Sequence, residues 1–303
     1  MILGRSPLRI SFAGGGTDLE EYHNKFDGYA LTFTINKFTH VIAKLRDDDK
    51  FQGFSPDFAS HHPPKSYRKI EPVQGHEIVV TTLKQMRFRS GIDIFFSSDV
   101  APGSGLGASS SLTSNLVNVI CNIQRKNWSK NKIAMKAYDI GHNVLKWNVG
   151  KQDEFSSVFG GLNLLKFTKT KVSVEEIHLN KSTLQELKNN SMLFYIGKRK
   201  FSSDKKIKIA STTIDQITKD YKKVNFIKMD IEGAELKALI GAEMTLKKHK
   251  PILSLEVNRN SFFNIYNFLK PFGYKPYAFD QNGNMLEISS IMDFCPTLIF
   301  KVL

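Results

Sequence analysis

The chain has 303 residues, 41% of them hydrophobic and 24% charged. That composition suits one large or two ordinary folded domains and excludes global disorder. No stretch approaches the roughly 20 apolar residues of a membrane span, so no membrane partner is expected. The start, Met1 to Gly16, shows no apolar signal-peptide run. Cys121 and Cys295 are too few for a disulfide framework or a Cys₄ zinc site, and the expected compartment is cytoplasmic. The net charge of +14, from 43 Lys and Arg against 29 Asp and Glu, suits nucleic acid, anionic lipid or phosphorylated small molecules. The densest runs are Lys198-Arg199-Lys200 with Lys205, Lys206 and Lys208, and Lys247-Lys248-His249-Lys250. Neither interleaves aromatic residues as a stacking platform for nucleic acid would. They read as solvated lysine faces, and no nucleic acid partner is expected.

In chain order, strands are predicted at 8–12, 29–35 and 40–45. Residues 47–76 are polar and read as loop, with His61 and His62 solvated before Pro63-Pro64. A strand at 92–96 leads through a glycine-rich turn into a helix at 108–123. Further helices are predicted at 135–147 and 153–159, and strands at 162–167, 172–177 and 192–196. After about Asp204 the pattern alternates. A helix at 213–218, a strand at 224–229, a long amphipathic helix at 234–247 and a strand at 251–257 come first. A helix at 262–269 and strands at 274–279 and 297–302 follow. That order predicts α/β layering.

The strongest chemical signal is Pro102-Gly103-Ser104-Gly105-Leu106-Gly107-Ala108-Ser109-Ser110. Glycines let the backbone turn with positive φ and let a phosphate approach the amides. The helix that follows points unpaired N–H groups at the same place. Ser109 and Ser110 can reach a phosphate or its Mg²⁺, or can merely cap the helix. The loop lacks the Gly-Lys-Ser/Thr ending of a Walker loop and the spacing of a dinucleotide fingerprint.

Two more segments accompany it: Pro7-Leu8-Arg9-Ile10-Ser11-Phe12-Ala13-Gly14-Gly15-Gly16-Thr17-Asp18, and Gly150-Lys151-Gln152-Asp153-Glu154-Phe155 closing with Phe159-Gly160-Gly161. By composition alone, Arg9 and Asp18 read as an exposed pair and Asp153 as a helix-start carboxylate. Together the three segments resemble the GHMP kinases, and among them the heptose 7-phosphate kinases. The resemblance implies that Pro102 to Ser110 cradle the phosphates of ATP and that Ser109 is linked to Mg²⁺. It makes Asp153 the catalytic carboxylate. It has Arg9, Gly15, Gly16, Thr17 and Asp18 line the sugar-phosphate site. The family's usual Mg²⁺ glutamate falls on Gly141, leaving Asp139 or Glu154 as substitutes. The family's second domain has no counterpart after the segment at 193–197.

The segments Thr212 to Ile217, Val224-Asn225-Phe226-Ile227-Lys228-Met229-Asp230-Ile231-Glu232-Gly233-Ala234-Glu235 and Lys250 to Val257 resemble FkbM-type methyltransferases. These use S-adenosylmethionine. The resemblance implies that Asp230 and Glu232 line a catalytic pocket, where physics alone reads an acid-rich helix start. It covers only 205–303 and leaves out the family's cofactor loop. The expected fold is therefore an α+β GHMP-kinase N-terminal domain at 1–204, followed by a partial α/β Rossmann-like methyltransferase half-sheet at 205–303. Such a half-sheet leaves an open strand edge. Three functions stay open: an ATP- and Mg²⁺-dependent sugar-phosphate kinase, a methyltransferase, or a non-catalytic fusion that binds nucleotide at most.

Overall fold

The computed structural model describes residues 1–191, 212–231, 233–279, 285–289 and 297–302. The expected strand at 192–196, the lysine run from 198 to 208, the junction near Asp204, and Glu232 and Cys295 lie outside the described residues. The chain has a mixed α/β fold and divides into two compact units, Met1–His178 and Leu179–Leu303.

In the first unit, β1 (Ile2–Ala13) and β2 (Gly28–Leu45) form a long antiparallel pair, with α1 (Glu20–His23) in the connection. The two strands predicted at 29–35 and 40–45 are one strand of 18 residues. Its partner explains this. Pro7 opposes Phe38 and Arg9 opposes Thr34, with a register shift between them. The bulge takes residues 35–37 of β2, set against Leu8 alone, out of the ladder without ending the strand, and β2 is the strand that bends there.

The predicted loop at 47–76 contains a hairpin, β3 (Lys50–Ser55) and β4 (Ser60–Ser66). Packing overrides polar composition here. β3 buries Phe51 and Ser55 and pairs in parallel with β5 (Ile92–Ser98). β4 is an edge strand, where Pro63 and Pro64 remove no needed ladder bond. His62 is buried against the Phe51 ring at 4.9 Å, which corrects its reading as a solvated residue; His61 is exposed.

Helix α2 (Glu77–Gln85), not predicted, precedes β5. Helix α3 (Ala108–Ile123) follows the glycine turn and has the predicted bounds. Helix α4 (Lys130–Asp139) starts earlier than predicted, because Ser129 caps it by accepting from the Lys132 amide. It runs into a π-helical turn at Ile140–Val144. Then come α5 (Gln152–Phe159), β6 (Leu162–Phe167) and β7 (Val172–Glu176). The strand order is β4-β3-β5-β2-β6-β7, with β1 on β2. Leu116, Val117 and Ile120 of α3 belong to one buried cluster with Val41, Ile92, Ile94 and Phe96 of the sheet. Each fully buried side chain of this kind contributes about 1.5–3 kcal/mol. That packing fixes the start of α3 relative to the strands.

The second unit holds α6 (Lys181–Asn189), α7 (Ile214–Thr218), β8 (Phe226–Met229), α8 (Glu235–Ile240), α9 (Glu243–His249) and β9 (Ile252–Glu256). Next are α10 (Arg259–Leu269), β10 (Tyr274–Phe279), β11 (Met285–Glu287) and β12 (Thr297–Val302). The sheet order is β11-β10-β12-β9-β8. Among the described strands of this second sheet, only the β8–β9 pair is parallel. The helix predicted at 234–247 is broken at Gly241-Ala242 into α8 and α9. Asp215 accounts for the break. Its carboxylate accepts from the amides of Met244 and Thr245 at 3.0 and 2.7 Å, which caps a new helix start.

Candidate active site

The turn between β5 and α3 uses three left-handed glycines, with φ of +79° at Gly103, +74° at Gly105 and +73° at Gly107. A Cβ placed on Gly103 or Gly105 would meet nothing within 4 Å. The space beside those amides is open, as close approach of an anion requires. Gly107 is the N-cap of α3 and brings no side-chain acceptor, and no acidic residue sits in the first turn. The first N–H groups of α3 are thus left for an outside acceptor. Ser109 is exposed at this end and Ser110 is buried. The hydroxyl of Ser104, within the turn, is buried without a partner. Pro102, Leu106 and Ala108 are half-buried and space the glycines.

Arg9 joins this turn to α5. Its Nε and Nη2 donate to the two carboxylate oxygens of Asp153, each at 2.7 Å. Its Nη1 donates to the Gly105 carbonyl at 2.8 Å, and its amide to the Leu106 carbonyl at 3.2 Å. The side chains are only 12% and 20% exposed. A Cβ on Gly107 would lie 3.1 Å from Asp153 Oδ2 and 3.5 Å from Arg9 Cζ. The end of the glycine turn therefore abuts the ion pair. Arg9 pairs with Asp153, which corrects the expected exposed pairing with Asp18.

Asp18 is buried. Its Oδ1 accepts from the Gly16 amide at 3.1 Å and its Oδ2 from the Gln152 amide at 3.0 Å. It caps α5, the helix that carries Asp153. Burial pushes its carboxyl above the usual range. Gly150 must lack a side chain, since a Cβ there would run into the Asp18 carboxylate. Thr17 lies 2.8 Å from the Gly14 carbonyl and accepts from the Tyr29 amide at 3.0 Å, which pins the loop to β2. Gly15 sits near the Gln152 amide group, 3.9 Å from its Nε2 to a built Cβ.

Two residues here, Lys151 and His23, were not singled out as site residues in the sequence, and Glu154 was named there only as a substitute Mg²⁺ carboxylate. Lys151 is buried beside Asp18, with Nζ donating to His23 Nε2 at 3.2 Å and lying 3.4 Å from Glu20. Burial and the Lys151 charge hold His23 below its ordinary pKa. Glu154 is 1% exposed. Burial, then the charge of Asp153, push its pKa up to about 8, against a hydrogen bond from Ser110. Lys151 and Glu154 lie in the same Lys-Gln-Asp-Glu string as Asp153. Helix spacing points Glu154 a hundred degrees away from Asp153, toward α3. Asp139, the other candidate Mg²⁺ carboxylate, is bound by Lys136 at 2.8 Å and Asn143 at 3.0 Å. Gly141 offers no ligand, and a Cβ there would lie 3.3 Å from the Trp147 ring.

Among the described residues no trio of His, Cys, Asp and Glu converges as a metal cluster. The residues present fit a cation carried by phosphates: open amides at Gly103 and Gly105, an exposed hydroxyl at Ser109, and a carboxylate at Glu154 with a free oxygen. In the second unit, Asp230 follows β8 and accepts from Lys228 Nζ at 3.0 Å. Glu232 lies outside the described residues. No helix among the described residues is long and apolar enough to cross a membrane.

Comparison with known proteins gives two sets of relatives. The N-terminal region is similar to the D-glycero-alpha-D-manno-heptose 7-phosphate kinase of Campylobacter jejuni, at 29% identity over 201 residues, covering 63% of this chain and 58% of that protein. A solved D-glycero-D-manno-heptose 1-phosphate kinase from Bacteroides thetaiotaomicron shares the fold, with TM-score 0.59 and 22% identity over 62% of this chain and 63% of the other. A solved chain described as a sugar kinase from Campylobacter jejuni has TM-score 0.53 and 28% identity, with 61% of each chain covered. The chain thus spans less than two thirds of the length of these relatives. The family model for the methyltransferase FkbM domain matches residues 111–276. That match begins inside α3 and takes in residues of both units. With a match over more than half its length, the chain belongs to the FkbM methyltransferase domain family, while its N-terminal region matches the heptose-phosphate kinases of the GHMP class in sequence and structure.

Proposed function

We propose that the chain is a sugar-phosphate kinase of the heptose 7-phosphate class, acting in nucleotide-sugar synthesis in the cytoplasm. Residues 1–204 form its ATP-binding kinase domain and 205–303 a partial FkbM-type methyltransferase domain. The observation that carries this reading is the bidentate Arg9–Asp153 pair set against the open glycine turn at the start of α3. In this reading the amides of Gly103 to Ala108 and the start of α3 hold the phosphates, with Ser109 on the Mg²⁺ side. Mg²⁺ would neutralise phosphate charge as the γ-phosphoryl group leaves. Asp153 orients the acceptor hydroxyl and takes its proton as the new oxygen–phosphorus bond forms and the bond to ADP breaks. Arg9 fixes the carboxylate in place. Asp18 fixes the helix that carries it, and Gly15, Gly16 and Thr17 form the loop that faces the sugar phosphate.

The test is a thermal melt with Mg²⁺-ATP, followed by phosphoryl transfer to heptose phosphates. Ligand at about 100 times its Kd adds roughly 2.7 kcal/mol. A several-degree shift with Mg²⁺-ATP, and turnover lost in Asp153→Ala, supports the kinase. A shift with S-adenosylmethionine alone favours the second reading, a methyltransferase using Asp230 and Glu232. The family match from 111 to 276 supports that second reading. So does the position of Asp230 at the carboxyl end of a parallel strand, where open α/β sheets place their ligands. No shift with either ligand leaves the non-catalytic fusion.

A further inference from the structure

Three carboxylates crowd the starts of α3 and α5, and their partners differ. Both oxygens of Asp153 are taken by the Arg9 guanidinium. Both oxygens of Asp18 are taken by backbone amides. Glu154 is 1% exposed, receives one hydrogen bond from Ser110, and keeps Oε2 buried with no partner. The nearby cations are committed elsewhere: Arg9 to Asp153 and the Gly105 carbonyl, Lys151 to His23 and Glu20. Among the described residues no cation is paired with Glu154.

A buried carboxylate without a counter-charge is costly, and its neighbours Asp153 and Asp18 raise that cost. Such an arrangement is tolerated where a cation arrives with a ligand. The position agrees. Glu154 bonds the hydroxyl of Ser110, the residue after Ser109, in the first turn of the helix that opens from the glycine turn. The Ser104 hydroxyl of that same turn is a second buried polar atom without a partner. Mg²⁺ takes oxygen ligands, usually one or two carboxylates together with phosphate oxygens and water. Of the three carboxylates here, only Glu154 has an oxygen with no hydrogen-bond partner.

We propose that Glu154 is the carboxylate ligand of the divalent cation that accompanies the nucleotide. The role rests on the kinase reading above. It makes Glu154 a residue kept for its ligand at the expense of stability. Stability and cation affinity therefore move in opposite directions when its carboxyl is replaced.

The experiment compares the full chain with Glu154→Gln. Mn²⁺ binding is followed by electron paramagnetic resonance in the presence of a saturating non-hydrolysable ATP analogue, and the melting temperature is read without ligand. The variant should bind Mn²⁺ in the nucleotide complex at least tenfold more weakly, the scale seen when even outer-shell partners of a metal are removed. Its ligand-free melting temperature should equal or exceed that of the unaltered chain, since a buried carboxyl with an unpartnered oxygen has gone. Mn²⁺ affinity within twofold of the unaltered chain would overturn the proposal and leave the kinase reading standing. A ligand-free melting temperature lowered by several degrees would also overturn it, because Glu154 would then be a structural partner. An unaltered chain that forms no Mn²⁺–nucleotide complex would refute the kinase reading and this proposal together.

Discussion

The Arg9–Asp153 pair makes a quantitative prediction by double-mutant cycle. Two N–H groups of one guanidinium meet two oxygens of one carboxylate at 2.7 Å, with side chains 12% and 20% exposed. Hydrogen bonds to charged groups contribute about 1.5–3 kcal/mol each when buried, and residual solvent here places the whole pair near that range rather than at twice it. The expected coupling between Arg9→Ala and Asp153→Ala is therefore about 2 kcal/mol. Arg9 also holds the Gly105 carbonyl at 2.8 Å, a contact outside the cycle. Arg9→Ala should thus cost more than Asp153→Ala, about 3 kcal/mol. A unit of this size shifts by roughly 2–4 °C per kcal/mol, so its melting transition should fall by about 6–12 °C. Urea denaturation of the four proteins supplies the cycle. A coupling below about 0.5 kcal/mol, the scatter of independent sites, would mean that the pair does not form, and the placement of Asp153 beside the glycine turn would fail with it.

Gly105→Val should cost only about 1–2 kcal/mol of stability, the strain of a side chain at positive φ, because its Cβ enters open space. It should nonetheless remove the stabilisation by Mg²⁺-ATP; a retained ligand shift would refute the phosphate role of the loop. Gly150→Ala should destabilise by more than 2 kcal/mol through collision with the Asp18 carboxylate, against about 1–2 kcal/mol for Gly161→Ala, where a Cβ meets only Glu176 Oε1 at 3.9 Å and the cost is backbone strain at positive φ. Asp215→Ala should uncap α9 and cost about 1–2 kcal/mol in the second unit, read by hydrogen exchange of the Met244 and Thr245 amides. His76 is buried, and that burial holds its pKa below 6.5. A depressed histidine leaves the unfolded chain binding more protons, so stability is full above pH 6.5 and falls as pH drops below it. His76→Leu should flatten that acid-side loss between pH 7 and 5; an unchanged slope would assign it to other groups.

Much of the fold was legible because the residues state it locally. The helix at 108–123 follows three glycines and carries Leu116, Val117 and Ile120 on one face, and it formed with its predicted bounds. Strands β6, β10 and β12 likewise match, since each is a short β-rich run closed by turn residues. The failures have non-local causes. The β3–β4 hairpin is polar, and its stability comes from pairing with β5 and from the Phe51, His62 and His76 rings packed beneath it. The break between α8 and α9 cannot be read from an apolar stripe that continues through Gly241. It is imposed by Asp215, nearly thirty residues earlier, which bonds Met244 and Thr245.

The candidate site divides in the same way. The glycine turn announces itself, because only glycine adopts that backbone cheaply and three of them alternate. The roles of the charged residues depend on which partner each one meets, and that is set by three elements far apart in the chain. The bulge in β2 opposite Leu8 sets the register of Arg9, α3 packs on the sheet and fixes the turn, and Asp18 caps α5. Arg9 and Asp153 are 144 positions apart and meet only when all three are in place. Composition treats Asp18, Asp153 and Glu154 as three similar acids. The fold separates them into a helix cap, an arginine-held carboxylate, and a buried carboxylate with one oxygen unpaired. The second lies against the end of the glycine turn, and the third keeps an oxygen with no hydrogen-bond partner. The division of labour at this site is therefore a property of the hydrogen-bond partners rather than of the residue types.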